Sequence, residues 1–193
     1  MPPKCKFTKE KIIDAALEIT RHSGFEAATA RAIGEKLDSS SKVIFSLFQN
    51  MEELRKSVIN AANKIYQDQI DKAIVSGEYP PYMASGMAYI NFAKNEKELF
   101  KLLFMRDRSS EPMNEGTESL KPIIELVRQK TGLDEKQAFM FHMQMWVVVH
   151  GIATMIATSY LEWDKELIEK FVKDSFTGLK SCYLTKEDKN ESN

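Results

Sequence analysis

Apolar residues recur at spacings of three and four along almost the whole chain, and no run alternates apolar with polar at a period of two. Such spacing lays side chains along one stripe of an α-helix and gives a half-buried strand nothing to bury. Only 8 Gly and 6 Pro interrupt 193 residues, too few for the many turns of a β-fold. The chain is therefore expected to be all-α.

The stretch from Thr29 to Leu54, TARAIGEKLDSSSKVIFSLFQNMEEL, organises the rest. Thr29 is a good N-cap for a short helix carrying Ala32, Ile33 and Leu37. Asp38, Ser39, Ser40 and Ser41 then compete for backbone hydrogen bonds and favour a turn. Val43, Ile44, Leu47 and Phe48 resume the helical period in a second short helix. Asn50 caps a third, with Glu53 placed to reach back to the cap. Two short helices joined by a tight turn describe a helix-turn-helix, whose second helix fits a DNA major groove.

Around this stretch the pattern predicts a first helix over 8–23 closed by Gly24, and a long helix over 51–76 ended by Ser76-Gly77. The long helix reads as the mechanical link between two parts. Pro80-Pro81 opens a further helix, Glu96–Met105 is amphipathic, and 107–117 is the polar, breaker-rich loop. Leu120–Lys130 is helical. Asp134–Tyr160 is apolar on nearly every side and needs covering by its own subunit and a second one. The last helix spans 164–183. The expected domains are 1–50 for DNA binding and 51–185 for ligand binding and dimerisation, with 1–6 a loose basic arm and 186–193 a disordered tail.

Hydrophobic content of 43% with 28% charge suits a soluble globular protein. The net charge is −1, but residues 1–64 hold 11 Lys+Arg against 8 Asp+Glu and the remainder 16 against 20. This asymmetry permits a basic N-terminal face on an acidic body. Cys5 and Cys182 lie near opposite ends without ligand spacing, so neither a disulfide framework nor a metal site is expected. The charged N-terminus lacks a signal-peptide core, and a reduced cytoplasmic protein is expected. Ala138–Leu161 has the length of a membrane span, but His142, Gln144 and His150 within it favour a buried helix and no membrane. No nucleophile motif, phosphate loop or HExxH is present, so the chain reads as a binding protein, not an enzyme, and needs no cofactor.

TKEKIIDAALEITRHSGFEAATARAIGEKL, SSSKVIFSLF and MEELRKSV, in that order, resemble the N-terminal helix-turn-helix domain of TetR-family transcriptional regulators. FAKNEKELFKLLF and MWVVVHGIATMI are similar to the ligand-binding and dimerisation domain of one branch of that family. The resemblance implies about nine helices and a homodimer built on the last two. It further implies a repressor that leaves a (pseudo)palindromic double-stranded operator when a small molecule enters the C-terminal domain. This chain departs from the family pattern at Asp38, where Gly is common, at Phe45, where Tyr is common, at Leu47, where Tyr or His is common, and at Met51 in place of Lys. These departures keep open an alternative: a dimeric small-molecule-binding or protein-interaction module with weakened DNA affinity.

Expected DNA contacts are Thr29 and Arg31 on the first helix of the motif, with Ser41, Lys42, Val43, Phe45 and Ser46 on the second. Cations and hydroxyls suit phosphates and guanine edges, and Val43 or Phe45 suits a thymine methyl. Tyr66, Met83, Met87, Phe104, Met140, Met143, Trp146 and His150 are expected to line a pocket for a mainly apolar effector, because Met supplies adaptable walls. Gly151, Ala153, Ala157, Leu167, Phe171 and Ser175 are expected at the dimer seam, where small residues permit close approach. His142 and His150, eight apart, read as hydrogen-bonded core histidines and not a metal pair. His22 reads as a favourable charge at a helix C-terminus.

Overall fold

The computed structural model describes residues 7–109 and 115–190, with side chains over 7–109 and 120–184. The expected arm 1–6, residues 110–114 of the expected loop and residues 191–193 lie outside the described residues. Among those described there are nine α-helices, one 3-10 turn (Phe25–Ala27) and no strand. The helices are α1 (Lys9–Ser23), α2 (Ala30–Lys36), α3 (Lys42–Phe45), α4 (Met51–Ser76), α5 (Pro81–Asn95), α6 (Lys97–Phe104), α7 (Glu115–Thr131), α8 (Glu135–Ala157) and α9 (Lys165–Asn190).

Most ends follow local chemistry. Thr8 caps α1 by accepting the N–H of Lys11, and Gly24 closes it at φ 78. Asp134 and Gln137 form a reciprocal capping box at the start of α8. Asn50 Oδ1 accepts the N–H of Glu53 at 2.9 Å, but the Glu53 carboxylate takes the N–H of Gln49, one residue upstream of the cap, at 2.7 Å.

Three expectations are corrected. The second helix of the motif is a single turn, Lys42–Phe45, because the serines before it supply no side-chain cap and Leu47-Phe48 turn inward to the core. α7 begins at Glu115, inside the expected loop 107–117. α9 continues through Asn190, where a disordered tail from 186 was expected, since KEDKN contains no Gly or Pro to stop it.

The chain forms two compact units, one of residues 1–68 with 95–106, the other of 69–94 with 107–193. The division does not fall at 50/51. α4 contributes to both units, and α6, which begins at Lys97, well beyond the end of the expected DNA-binding part at residue 50, belongs to the first.

In the first unit α1 packs on α2 and α6. Its core holds Ile12 and Ala16 of α1, Ile33, Ile44, Phe48, Leu54 and Val58, with Leu99 and Phe100 of α6, all at most 2% exposed. Burying each large apolar side chain contributes about 1.5–3 kcal/mol. Arg21 donates to Glu96 at 3.0 Å across α1 and α6. Lys9 bonds Glu53 at 2.7 Å and lies over the Phe48 ring, fastening α1 to the start of α4. Because the chain crosses between the units beside α6 as well as through α4, the long helix is not their sole link.

In the second unit α8 packs on both α7 and α9. Ala138, Phe141, Met145, Ile152 and Ala153 of α8 are buried there with Val127 of α7 and Ile168 and Val172 of α9. α8 is long and apolar enough to cross a membrane by composition, yet these side chains and two histidine contacts commit much of its surface to the unit's interior.

Candidate DNA interface

The turn between α2 and α3 is built by a complete Schellman pair. The N–H of Ser39 bonds the carbonyl of Gly34 at 2.9 Å, and that of Asp38 the carbonyl of Glu35 at 3.1 Å. The motif requires a left-handed residue, and Asp38 holds φ 49. Asp tolerates this conformation better than most L-residues but not without cost. Asp38→Gly is accordingly expected to raise the unfolding free energy by about 0.5–1 kcal/mol, less the extra freedom glycine has when unfolded. Thermal unfolding checks it, and a lower melting temperature would contradict it.

Gly34, buried on α2, lies so close to the turn that the chain has no room there for a side chain. Ile44 and Phe48 anchor α3 into the core, which leaves its other face outward. There Lys42, Phe45 and Ser46 are exposed, while Ser41 and Val43 are half-buried. Thr29 and Arg31 are exposed at the start of α2, where Thr29 Oγ1 accepts the N–H of Ala32 at 3.1 Å. Arg31 Nε donates to Glu35 at 2.8 Å, and Ser46 Oγ donates to the carbonyl of Val43 at 2.7 Å. All seven expected DNA residues thus fall on the two helices of the motif or their caps. Ser40 and Gln49 are also exposed there. Helical periodicity passes over both because they lie between helices. Leu47 and Met51 are half-buried. His22 is exposed, and its Nδ1 bonds the Glu18 carbonyl at 2.8 Å.

The eight residues expected to line one apolar pocket are divided between the two units. Tyr66 and Phe104 belong to the first unit, where their rings meet edge to face at 5.2 Å. Burial raises the Tyr66 phenol above its ordinary value. The other six belong to the second unit. Met87 is buried, Met83, Met143 and His150 are half-buried, and Met140 and Trp146 stand 46% and 39% exposed. An all-round apolar helix does not reveal from its sequence which side turns inward. A groove of about 660 Å³ between α7 and α8 is instead lined by Ile124, Arg128, Lys136 and Phe139, among others, and by none of the eight.

Two tyrosine–histidine pairs join α5 to α8. Tyr82 Oη and His142 Nδ1 are 3.1 Å apart, and Tyr89 Oη and His150 Nδ1 2.8 Å. Burial holds both imidazoles below their ordinary pKa and raises the Tyr82 phenol. Trp146 stacks on His150 with ring centroids 4.8 Å apart.

Of the residues expected at a dimer seam, Ala153 and Ala157 are buried within the protomer, at 0% and 2% exposure. Leu167 and Phe171 are exposed, and Gly151 and Ser175 are half-buried. Val147 at 63% and Met155 at 37% exposure, with Met140, extend an apolar stripe along α8 through Gly151.

Residues 12–58 match the family model described as bacterial regulatory proteins, tetR family, and residues 82–176 match a tetracyclin repressor-like C-terminal domain. The chain is similar to the uncharacterized HTH-type transcriptional regulator YobS of Bacillus subtilis (strain 168), 20% identical over 172 residues that cover 88% of this chain and 89% of YobS. Its fold is similar to the solved structure of a TetR family protein from Vibrio parahaemolyticus, with a TM-score of 0.57 at 16% identity, covering 88% of this chain and 97% of that one. A helix-turn-helix closed by a Schellman turn, an all-α second unit and matches to both halves of one family agree: the chain belongs to the TetR family of transcriptional regulators.

Proposed function

We propose that the protein is a cytoplasmic homodimeric repressor that binds a pseudopalindromic double-stranded operator and is released by a mainly apolar small molecule. One observation carries the reading: the exposed surface of α2 and α3 holds Thr29, Arg31, Lys42, Phe45 and Ser46 on a backbone fixed by the buried Ile33, Ile44 and Phe48. A short helix held by its inner face, with Lys42, Phe45 and Ser46 turned outward, suits the major groove. The exposed stripe of α8 and α9 supports pairing with a second copy. In this reading the effector enters the second unit near Met83, Met87, Met143 and His150, and α4, shared by both units, carries the change toward the DNA. An effector acts only if it favours one arrangement of the dimer over another.

The half-buried apolar Leu47 and Met51 support the second reading, a binding module with weakened DNA affinity. Affinity for duplex DNA from the protein's own promoter, measured across a salt series, separates the two. The repressor predicts tighter binding to promoter than to random duplex. Equal, weak binding to both would favour the module.

Met51→Lys provides a further expected result. Residue 51 opens α4, whose first-turn N–H groups favour an anion. An added ammonium neutralises one more phosphate, so the slope of log K against log salt is expected to steepen by about 0.9. The gain is independent of sequence, because phosphates carry no base identity. An unchanged slope would mean that residue 51 does not face the DNA backbone.

A further inference from the structure

We infer that Phe45 reads thymine 5-methyl groups, so that this chain discriminates bases in part by apolar contact. The inference rests on the operator-binding reading above and names what that surface recognises. Three of the polar side chains on the motif already bond within the protein: Thr29 Oγ1 accepts the Ala32 N–H, Arg31 donates to Glu35, and the Ser46 hydroxyl donates to the Val43 carbonyl. The Arg31–Glu35 pair is highly exposed and opens readily for a phosphate, a contact that positions without specifying. Lys42 ends in a flexible point charge that suits phosphate equally well.

Phe45 is different. It is 52% exposed, the most exposed large hydrophobic side chain among the described residues of the first unit, while the adjacent Ile44 is completely buried. The ring therefore projects from a backbone that is held in place. It has no hydroxyl to give to a phosphate. In the major groove the thymine methyl is the apolar group that distinguishes one base pair from the others. Covering the ring against such a methyl removes both from water, and half-buried Val43 on the same helix broadens the apolar surface.

The test begins with duplexes enriched from a random library by the full-length protein. The enriched duplex is then remade with deoxyuridine replacing thymidine at one position at a time, which deletes only the methyl. At one or two positions the loss is expected to weaken wild-type binding about fourfold per methyl. The same replacements should leave Phe45→Ala unaffected, so that the two losses are not additive. Because Phe45 lies at the surface the variant should keep its melting temperature, and the deoxyuridine series on the wild-type protein needs no variant. No effect of deoxyuridine at any position, or equal effects on both proteins, would overturn the inference while leaving operator binding intact. Failure of the folded protein to enrich any sequence would overturn the operator reading and this inference with it.

Discussion

Phe171→Glu is expected to leave the protein monomeric at micromolar concentration and to lower its affinity for a two-half-site operator about a hundredfold or more. Phe171 is 44% exposed on α9, with its ring 4.7 Å from that of Trp163, and Leu167 lies one turn earlier on the same face. Met140, Val147 and Met155 of α8 are likewise apolar and exposed, so a single copy leaves apolar side chains of both helices uncovered. A carboxylate there would be desolvated on pairing and, under two-fold symmetry, placed near the seam twice. The expected seam differs from the one the small residues suggested, because Ala153 and Ala157 face their own protomer's interior. Sedimentation velocity decides: a persistent dimer would move the seam elsewhere.

Gly34→Ala is expected to lower the unfolding free energy by about 1–3 kcal/mol and to weaken DNA binding further, since the turn sets the angle between α2 and α3. A Cβ at this position would lie 2.9 Å from the Ser41 nitrogen and 3.0 Å from both the Ser39 oxygen and the Ser40 carbonyl carbon. These are backbone atoms, and the Ser39 N–H is tied to the Gly34 carbonyl, so the clash cannot be relieved by a side-chain rotation. Gly151→Ala is the control, since nothing lies within 4 Å of its added Cβ. An unchanged melting temperature for Gly34→Ala would mean that the turn shifts at little cost.

Where local rules act alone, the sequence was a good guide. α1 and α4 match the ranges read from apolar spacing, and the cap at Thr29 is present because its chemistry is local. The family resemblance on TKEKIIDAALEITRHSGFEAATARAIGEKL is carried by the match over 12–58. Phe45 and Lys42 were legible as outward residues, because Ile44 and Phe48 mark the inner side of the same turn. The second unit was less legible. α8 is apolar all round, so its sequence does not say which side turns inward, and that choice is made by its contacts with α5, α7 and α9. The tyrosine partners of His142 and His150 lie 60 and 61 residues away in sequence, beyond any local rule.

The placement of α6 has a consequence for how the protein is made. Leu99 and Phe100 complete the hydrophobic centre shared by α1, α2 and the beginning of α4, yet a ribosome delivers them some forty residues after Val58. The nascent helix-turn-helix must therefore wait, its α1 surface uncovered, while a stretch destined for the other unit, residues 69–94, is synthesised. A gene fragment ending at residue 58 would encode the whole helix-turn-helix but not a finished hydrophobic centre, since the unit that holds it draws on the chain as far as Arg106.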